Sequence, residues 1–163
     1  ILVCLVGSEM CIRDSNSPMY KNVKIVDLSS SLAEPESIDA VITFRNLHNW
    51  LGSQADLIFS SSYKVLKTGG IFGIVEHRAK PGTSFEDMKK SGYVTEEYAI
   101  EMAEKHGFKL VSKSDINSNP KDTKDHPKGV WTLPPSFRLK EVDKEKYTEI
   151  GESDRMTLLF KKS

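Results

Sequence analysis

Two histidines stand in short polar stretches that suit chemistry: His48 within FRNLHNW (Phe44 to Trp50) and His77 within EHRAKPG (Glu76 to Gly82). Imidazole changes charge near neutral pH, so either can serve as a catalytic base or as a hydrogen-bonding group toward a substrate; packing at the end of an element is the ordinary alternative. Asn46 and Asn49 offer amides to a substrate or, for one of them, a cap to the helix that follows. Arg45 and Arg78 carry planar forks that match a carboxylate, although an exposed ion pair is a common use of arginine. His106, beside Gly107 at a predicted helix end, reads as structural because a cation is favoured there anyway. Asp122, Asp125 and His126 in DTKDHP have metal-binding side chains, but no second ligand cluster has suitable spacing. They read as a solvated loop, and no metal site is expected.

These residues need elements to hold them. NVKIV (Asn22 to Val26) is short and β-branched and reads as a strand. IDAVITF (Ile38 to Phe44) is nearly continuously apolar, which suits a strand covered on both faces. From Gln54 to Leu66 the apolar positions Ala55, Ile58, Phe59, Tyr63, Val65 and Leu66 share one helical stripe, which KTGG is expected to stop. IFGIVEH (Ile71 to His77) is a further buried strand, so strand, helix and strand form a βαβ unit with parallel neighbours. Thr95 is placed to cap a second helix whose first turn holds Glu96 and Glu97 and which closes at HGF. FKLVSKSDI (Phe108 to Ile116) alternates as a strand. A long polar and proline-rich segment at 117–154 precedes the final strand MTLLFKK, and within it GVWTLPPSF gathers Val130, Trp131, Leu133 and Phe137 into an apolar patch. Such a patch must bury itself, either as a lid at a site mouth or against the sheet edge. Arg155 is placed to anchor that segment through Glu152 or Asp154.

The chain's two cysteines, Cys4 and Cys11, lie in CLVGSEMCIRDS (Cys4 to Ser15), which has neither a strand nor a helix period. This stretch resembles a sequencing-library adapter translated in frame, so residues 1–15 are read as a non-native segment and 16–163 as the natural domain, with sequence expected to be missing upstream. Removing Arg13 from 23 basic residues, and Glu9 and Asp14 from 23 acidic ones, leaves 22 against 21. That balance gives no sign of nucleic acid or an anionic membrane as partner, and no apolar run approaches the ~18 residues of a membrane span. Location stays open, cytoplasmic by default, with an exported form compatible with the sequence.

In their order, the strand IDAVITF, the turn RNLHNW, a helix closing in YKVLKTGG, the strand IFGIVEH, a helix running into HGFKLV and a last strand resemble the C-terminal part of a class I S-adenosylmethionine-dependent methyltransferase. Thr68 stands where that family commonly has proline. NLHNW, VEHRAKPG, NPKDTKDHPKGVWTLPP and ESDRM are most similar to a subgroup known only as predicted methyltransferases. The resemblance implies an α/β, doubly wound, Rossmann-like sheet, mostly parallel with its last strand antiparallel, whose N-terminal strands are missing here. It implies S-adenosylmethionine as cofactor and methyl transfer to a small molecule. The family's glycine-rich turn after the first strand is not present in this chain, so the chain alone is expected to bind the cofactor weakly and to be inactive.

In such sheets ligands sit beyond the carboxyl ends of the strands. The resemblance therefore places His48 and His77 as catalytic candidates, Asn46, Asn49, Arg78 and Trp131 toward substrate, and Asp27, Phe44 and Arg45 toward cofactor. Another Rossmann-like enzyme, such as a nicotinamide-dependent oxidoreductase, and a non-catalytic binding domain of the same fold are the alternatives. Loss of upstream strands would leave IDAVITF with an open edge prone to self-association.

Overall fold

The computed structural model describes Val26 and residues 32–163. Segment 1–15, Asp27 and, apart from Val26, the strand expected at 22–26 lie outside the described residues; Val26 is half-buried and belongs to no strand. The elements are β1 (Ile38–Phe44), α1 (Leu47–Trp50), α2 (Ser53–Val65), β2 (Leu66–His77), α3 (Phe85–Ser91), α4 (Glu96–Lys105), β3 (Phe108–Ser114), a 3-10 helix (Gly129–Thr132), α5 (Lys144–Ile150) and β4 (Arg155–Lys162).

They form one four-stranded sheet in the order β1-β2-β4-β3. β1 runs parallel to β2, with Phe44 opposite Val75, and β4 runs antiparallel to both β2 and β3. Three strands thus point one way and the last runs in the opposite sense, as expected; it threads between two of them. Crossovers β1-α2-β2 and β2-α4-β3 both advance in the same direction along the sheet. Right-handed connections then put both helices on the same face. That face holds the core: Ala55, Ile58, Phe59, Phe72, Ile74, Ala99, Ala103, Phe108, Met156, Leu158 and Phe160 are all buried. Among the described residues the other face is open, with Ile42 47% and Val111 57% exposed, so β1 is not covered on both sides as its composition suggested.

Two local expectations change. The glycines do not stop α2; it ends at Val65, and Leu66 already begins β2. Backbone donors replace the glycine stop, because Glu36 N–H and Ser37 N–H bond the carbonyls of Lys64 and Val65. KTGG instead lies within β2, where the register with β1 jumps between Ile38 opposite Leu66 and Ala40 opposite Ile71. The segment 117–154 is likewise more ordered than its polarity suggested, containing both the 3-10 helix and α5. α4 follows the sequence: Thr95 Oγ1 accepts the Tyr98 N–H at 3.2 Å, and Ala99 and Ala103 are its buried stripe.

The insertion is held to α3 by two close approaches that only glycine permits. A Cβ on Gly129, at φ +56°, would fall 2.0 Å from the Ser91 carbonyl oxygen. One on Gly92, at φ +74°, would fall 2.7 Å from Val130 and 2.9 Å from Trp131. Among the described residues no helix is long and apolar enough to cross a membrane.

Candidate functional site

Alternation along β2 turns Phe72, Ile74 and Glu76 toward the covered face. The first two join the core. Glu76 continues their line to the carboxyl end of the strand and is wholly buried at 0% exposure. A buried carboxylate is costly unless donors surround it, and here they converge from two segments. Oε2 accepts the His48 N–H at 3.1 Å, Oε1 accepts the His77 N–H at 2.8 Å, and Oε1 lies 3.0 Å from His48 Nδ1. The parallel pairing of β1 with β2 is what brings His48, in the turn after one strand, beside the end of the other. An acceptor-only carboxylate assigns the imidazole proton to Nδ1, leaving Nε2 as the basic nitrogen; among the described residues Nε2 has no hydrogen-bond partner.

His77 lies with its ring centroid 5.3 Å from that of His48, and its Nδ1 is 2.5 Å from Ser153 Oγ. Burial pushes its imidazole down to about 4, against the opposing pull of Glu76, so the ring is neutral at neutral pH. Trp131 packs edge-on against His48 at 5.9 Å, and the Arg138 guanidinium covers the indole at 4.4 Å. The insertion thus reaches His48 through Trp131 and His77 through Ser153.

A second polar cluster adjoins the first. The Arg78 fork bonds Asp154 through Nε at 2.9 Å and Nη2 at 2.8 Å, and also reaches Glu96 at 3.1 Å, Asp115 at 3.3 Å and Ser118 at 2.9 Å. The bonds to Asp154 raise the guanidinium's already high pKa further. Burial alone would raise the Asp154 carboxyl, but Arg78, Lys124 and the Asn119 N–H outweigh it and hold it well below the usual carboxylate range. Behind it Asp122 is buried, accepting the Tyr93 hydroxyl at 2.9 Å to Oδ2, the Asp154 N–H at 2.8 Å and the Lys124 N–H at 2.9 Å, with His126 Nε2 at 2.8 Å. Burial and then Asp122 push the Tyr93 phenol far up. The loop expected to be solvated is therefore anchored through a buried carboxylate: a reading of DTKDHP by polarity missed that Asp122 meets Tyr93 from a distant segment.

Of the residues singled out from sequence, the structure brings His48, His77 and Trp131 together. Arg78 lies next to them but is engaged by its carboxylates. Asn46 stands at the N-cap of α1 without a side-chain cap bond, and its Oδ1 accepts from Asn49 Nδ2 at a long 3.4 Å. Phe44, 57% exposed, and Arg45, exposed at φ +53°, form the open rim at the end of β1. His106 is tied to Asp56 at 2.9 Å, the structural place expected of it, and Arg155 pairs with Glu152. Sequence reading missed Glu76 and Ser153. Glu76 had a signal, since it falls on the inward parity of IFGIVEH two residues after Ile74.

No family model and no curated protein matches the sequence. Solved structures do match in fold. The [4+2]-cyclase SpnF superposes with a TM-score of 0.60 at 20% identity, over 93% of this chain and 59% of its own. A candidate type 11 methyltransferase from Sulfolobus solfataricus gives 0.54 at 11% identity, over 99% of this chain and 70% of its own. An S-adenosylmethionine-dependent methyltransferase from Methanosarcina mazei gives 0.53 at 12% identity, over 86% and 66%. The chain spans 59% of the length of the cyclase. The fold is the Rossmann-like fold of S-adenosylmethionine-dependent methyltransferases, and the cyclase among these structures makes clear that the chemistry must be argued from the site.

Proposed function

We propose that this chain belongs to an enzyme that methylates a small molecule through an oxygen or nitrogen which must lose a proton, with His48 as the base. The observation that carries this reading is the buried Glu76 carboxylate 3.0 Å from His48 Nδ1, at the carboxyl end of the sheet, with no hydrogen-bond partner for Nε2 among the described residues. The exposed Phe44 and Arg45 suit the apolar and anionic parts of a nucleoside-type cofactor at the adjoining rim, and they would help hold S-adenosylmethionine. That group, when bound, supplies a methyl already activated by its sulfonium.

What remains for the protein is modest: to align the acceptor, keep water out and take up one proton. His48 Nε2 receives the proton, and Glu76 holds the ring in the required tautomer and balances the charge that forms on it. His77, kept neutral by burial, orients the acceptor by hydrogen bonding without adding a positive charge beside the base. Trp131 closes the mouth over His48. Arg78 acts at one remove, fixing Asp154 and through it the neighbouring Ser153 that meets His77. A base of this kind contributes about 10²- to 10⁴-fold in rate.

The decisive experiment recovers the coding sequence upstream of residue 16 and assays methyl release from labelled S-adenosylmethionine with hydroxyl- and amine-bearing acceptors. A glycine-rich strand-to-helix turn upstream, and activity lost in His48→Ala but not in His106→Ala, are expected. An upstream sequence without such a turn overturns the methyltransferase reading. Activity indifferent to His48 overturns the assignment of the base.

A further inference from the structure

The three side chains of the Glu76 cluster support a second chemistry besides methyl transfer. His48 Nδ1 and His77 Nε2 lie 3.0 Å and 3.9 Å from Glu76 Oε1, and each of the three residues offers a ligand atom within 4.8 Å of those of the other two. Bonds of about 2.0 to 2.2 Å from imidazole nitrogen and carboxylate oxygen to zinc place neighbouring ligand atoms roughly 3 to 3.5 Å apart, so the cluster closes on an ion after side-chain shifts of up to about 1 Å. We propose that His48, Glu76 and His77 form a binding site for a divalent transition-metal ion of the zinc type, with one coordination position left open on the side of Trp131.

The surrounding contacts are those that orient metal ligands. Ser153 Oγ holds His77 Nδ1 at 2.5 Å, which frees Nε2 for an ion. Both carboxylate oxygens of Glu76 are fixed by the backbone N–H groups of His48 and His77. Two imidazoles and one carboxylate favour zinc, iron or nickel over magnesium or calcium, which seek all-oxygen shells. Glu76 and His77 end β2, and His48 lies in α1 directly after β1, the strand paired with β2. An ion on Nδ1 takes the place of the proton that Glu76 holds there, so the metal-bound cluster and the base-oriented cluster are alternative states. The ion would therefore block the base described above. This site replaces the sequence expectation of no metal: its ligands come from two segments whose spacing along the chain, His48 to His77, carries no metal signature.

The test is titration of the tag-free chain, with Cys4→Ser and Cys11→Ser to remove thiolates, by zinc sulfate in competition with a chromophoric chelator, and by cobalt chloride with visible absorption read directly. One ion per chain is expected, with the d–d bands of a nitrogen- and oxygen-ligated, low-coordinate cobalt. Zinc affinity should fall at least tenfold in His77→Ala and in Glu76→Gln, and about tenfold in Ser153→Ala, the usual effect of removing an outer contact. His126→Ala and His106→Ala should bind as the parent does. Absence of cobalt bands in the parent chain, or zinc affinity unchanged in His77→Ala, overturns the proposal whether or not methyl transfer is ever found. Cobalt is read on the parent protein, so the result does not depend on a variant that fails to fold.

Discussion

Two buried polar clusters lie side by side at one end of the sheet, and they differ in how far their valences are filled. Around Asp122 and Asp154 the prominent groups are matched: the Arg78 fork meets carboxylates and a serine, and Asp122 takes donors from Tyr93, Lys124 and Asp154. Around Glu76 the carboxylate is equally well surrounded, yet among the described residues the Nε2 atoms of the two imidazoles it gathers make no hydrogen bond. Buried charge by itself therefore does not mark a reactive site. The saturated cluster fastens the 117–154 segment to the sheet, and the unsaturated one has capacity left for a proton or an ion.

Substitutions that pull these roles apart sharpen the contrast. The largest effect belongs to Asp122→Ala, which strands the Tyr93 hydroxyl, two backbone N–H groups and His126 without their acceptor; urea unfolding should show a loss of about 4 kcal/mol. Gly129→Ala follows, at about 3 kcal/mol by the same measurement, because its Cβ would collide with the Ser91 backbone at a position of positive φ. Its signature is selective: the insertion and Trp131 should lose protection from hydrogen exchange while β2 keeps it. Glu76→Gln keeps the shape but weakens the acceptor, so it should cost only about 1 to 2 kcal/mol of stability. Activity and metal binding should drop far more steeply than that loss explains. If Glu76→Gln proved as destabilising as Asp122→Ala with function intact, the distinction between the clusters would fail.

The smallest effect is a pH dependence. The Asp154 carboxyl is held below its unfolded value of 3.8, so its contribution is complete above about pH 5 and is lost as pH falls through the folded value. Between pH 5 and pH 3 only the onset is seen, a decline under about 1 kcal/mol in melting experiments. Arg78→Leu should flatten that slope. A slope unchanged in the variant would assign the acid sensitivity elsewhere, for instance to Glu96, which Lys113 and Arg78 lower against the opposing effect of burial.

Legibility from sequence followed the range of the forces involved. Strands β1, β2, β3 and β4 and the helix α4 were readable because alternation, β-branching, the Thr95 cap and a terminal glycine act within a few residues. The positions of His48 and His77 at strand ends followed from the same local marks. α3 and α5 were missed because each is one or two turns long with a single buried side chain, Met88 or Tyr147, too little for a period to show. Glu76 was half-legible: parity turns it inward, but only the pairing of β1 with β2 supplies His48 as its partner. Tyr93 and Asp122, or Arg78 and Asp154, meet across long stretches of chain and leave no trace in spacing. That both crossover helices lie on one face, leaving the other open among the described residues, followed from the direction of the two crossovers, which composition does not encode.

The placement of β4 between β2 and β3 also bears on how the protein matures. Its two neighbours share no ladder with each other and are joined through it, so the sheet is closed by the pairing of β4 with β2, the one of highest contact order. Ser153 and Asp154 sit at the threshold of that strand, and they are what His77 and Arg78 lean upon. A nascent chain released only as far as β3 therefore has His48 and Glu76 within reach of each other but no completed site. The contacts that complete the surroundings of the two histidines thus come with the closing strand and the residues that lead into it.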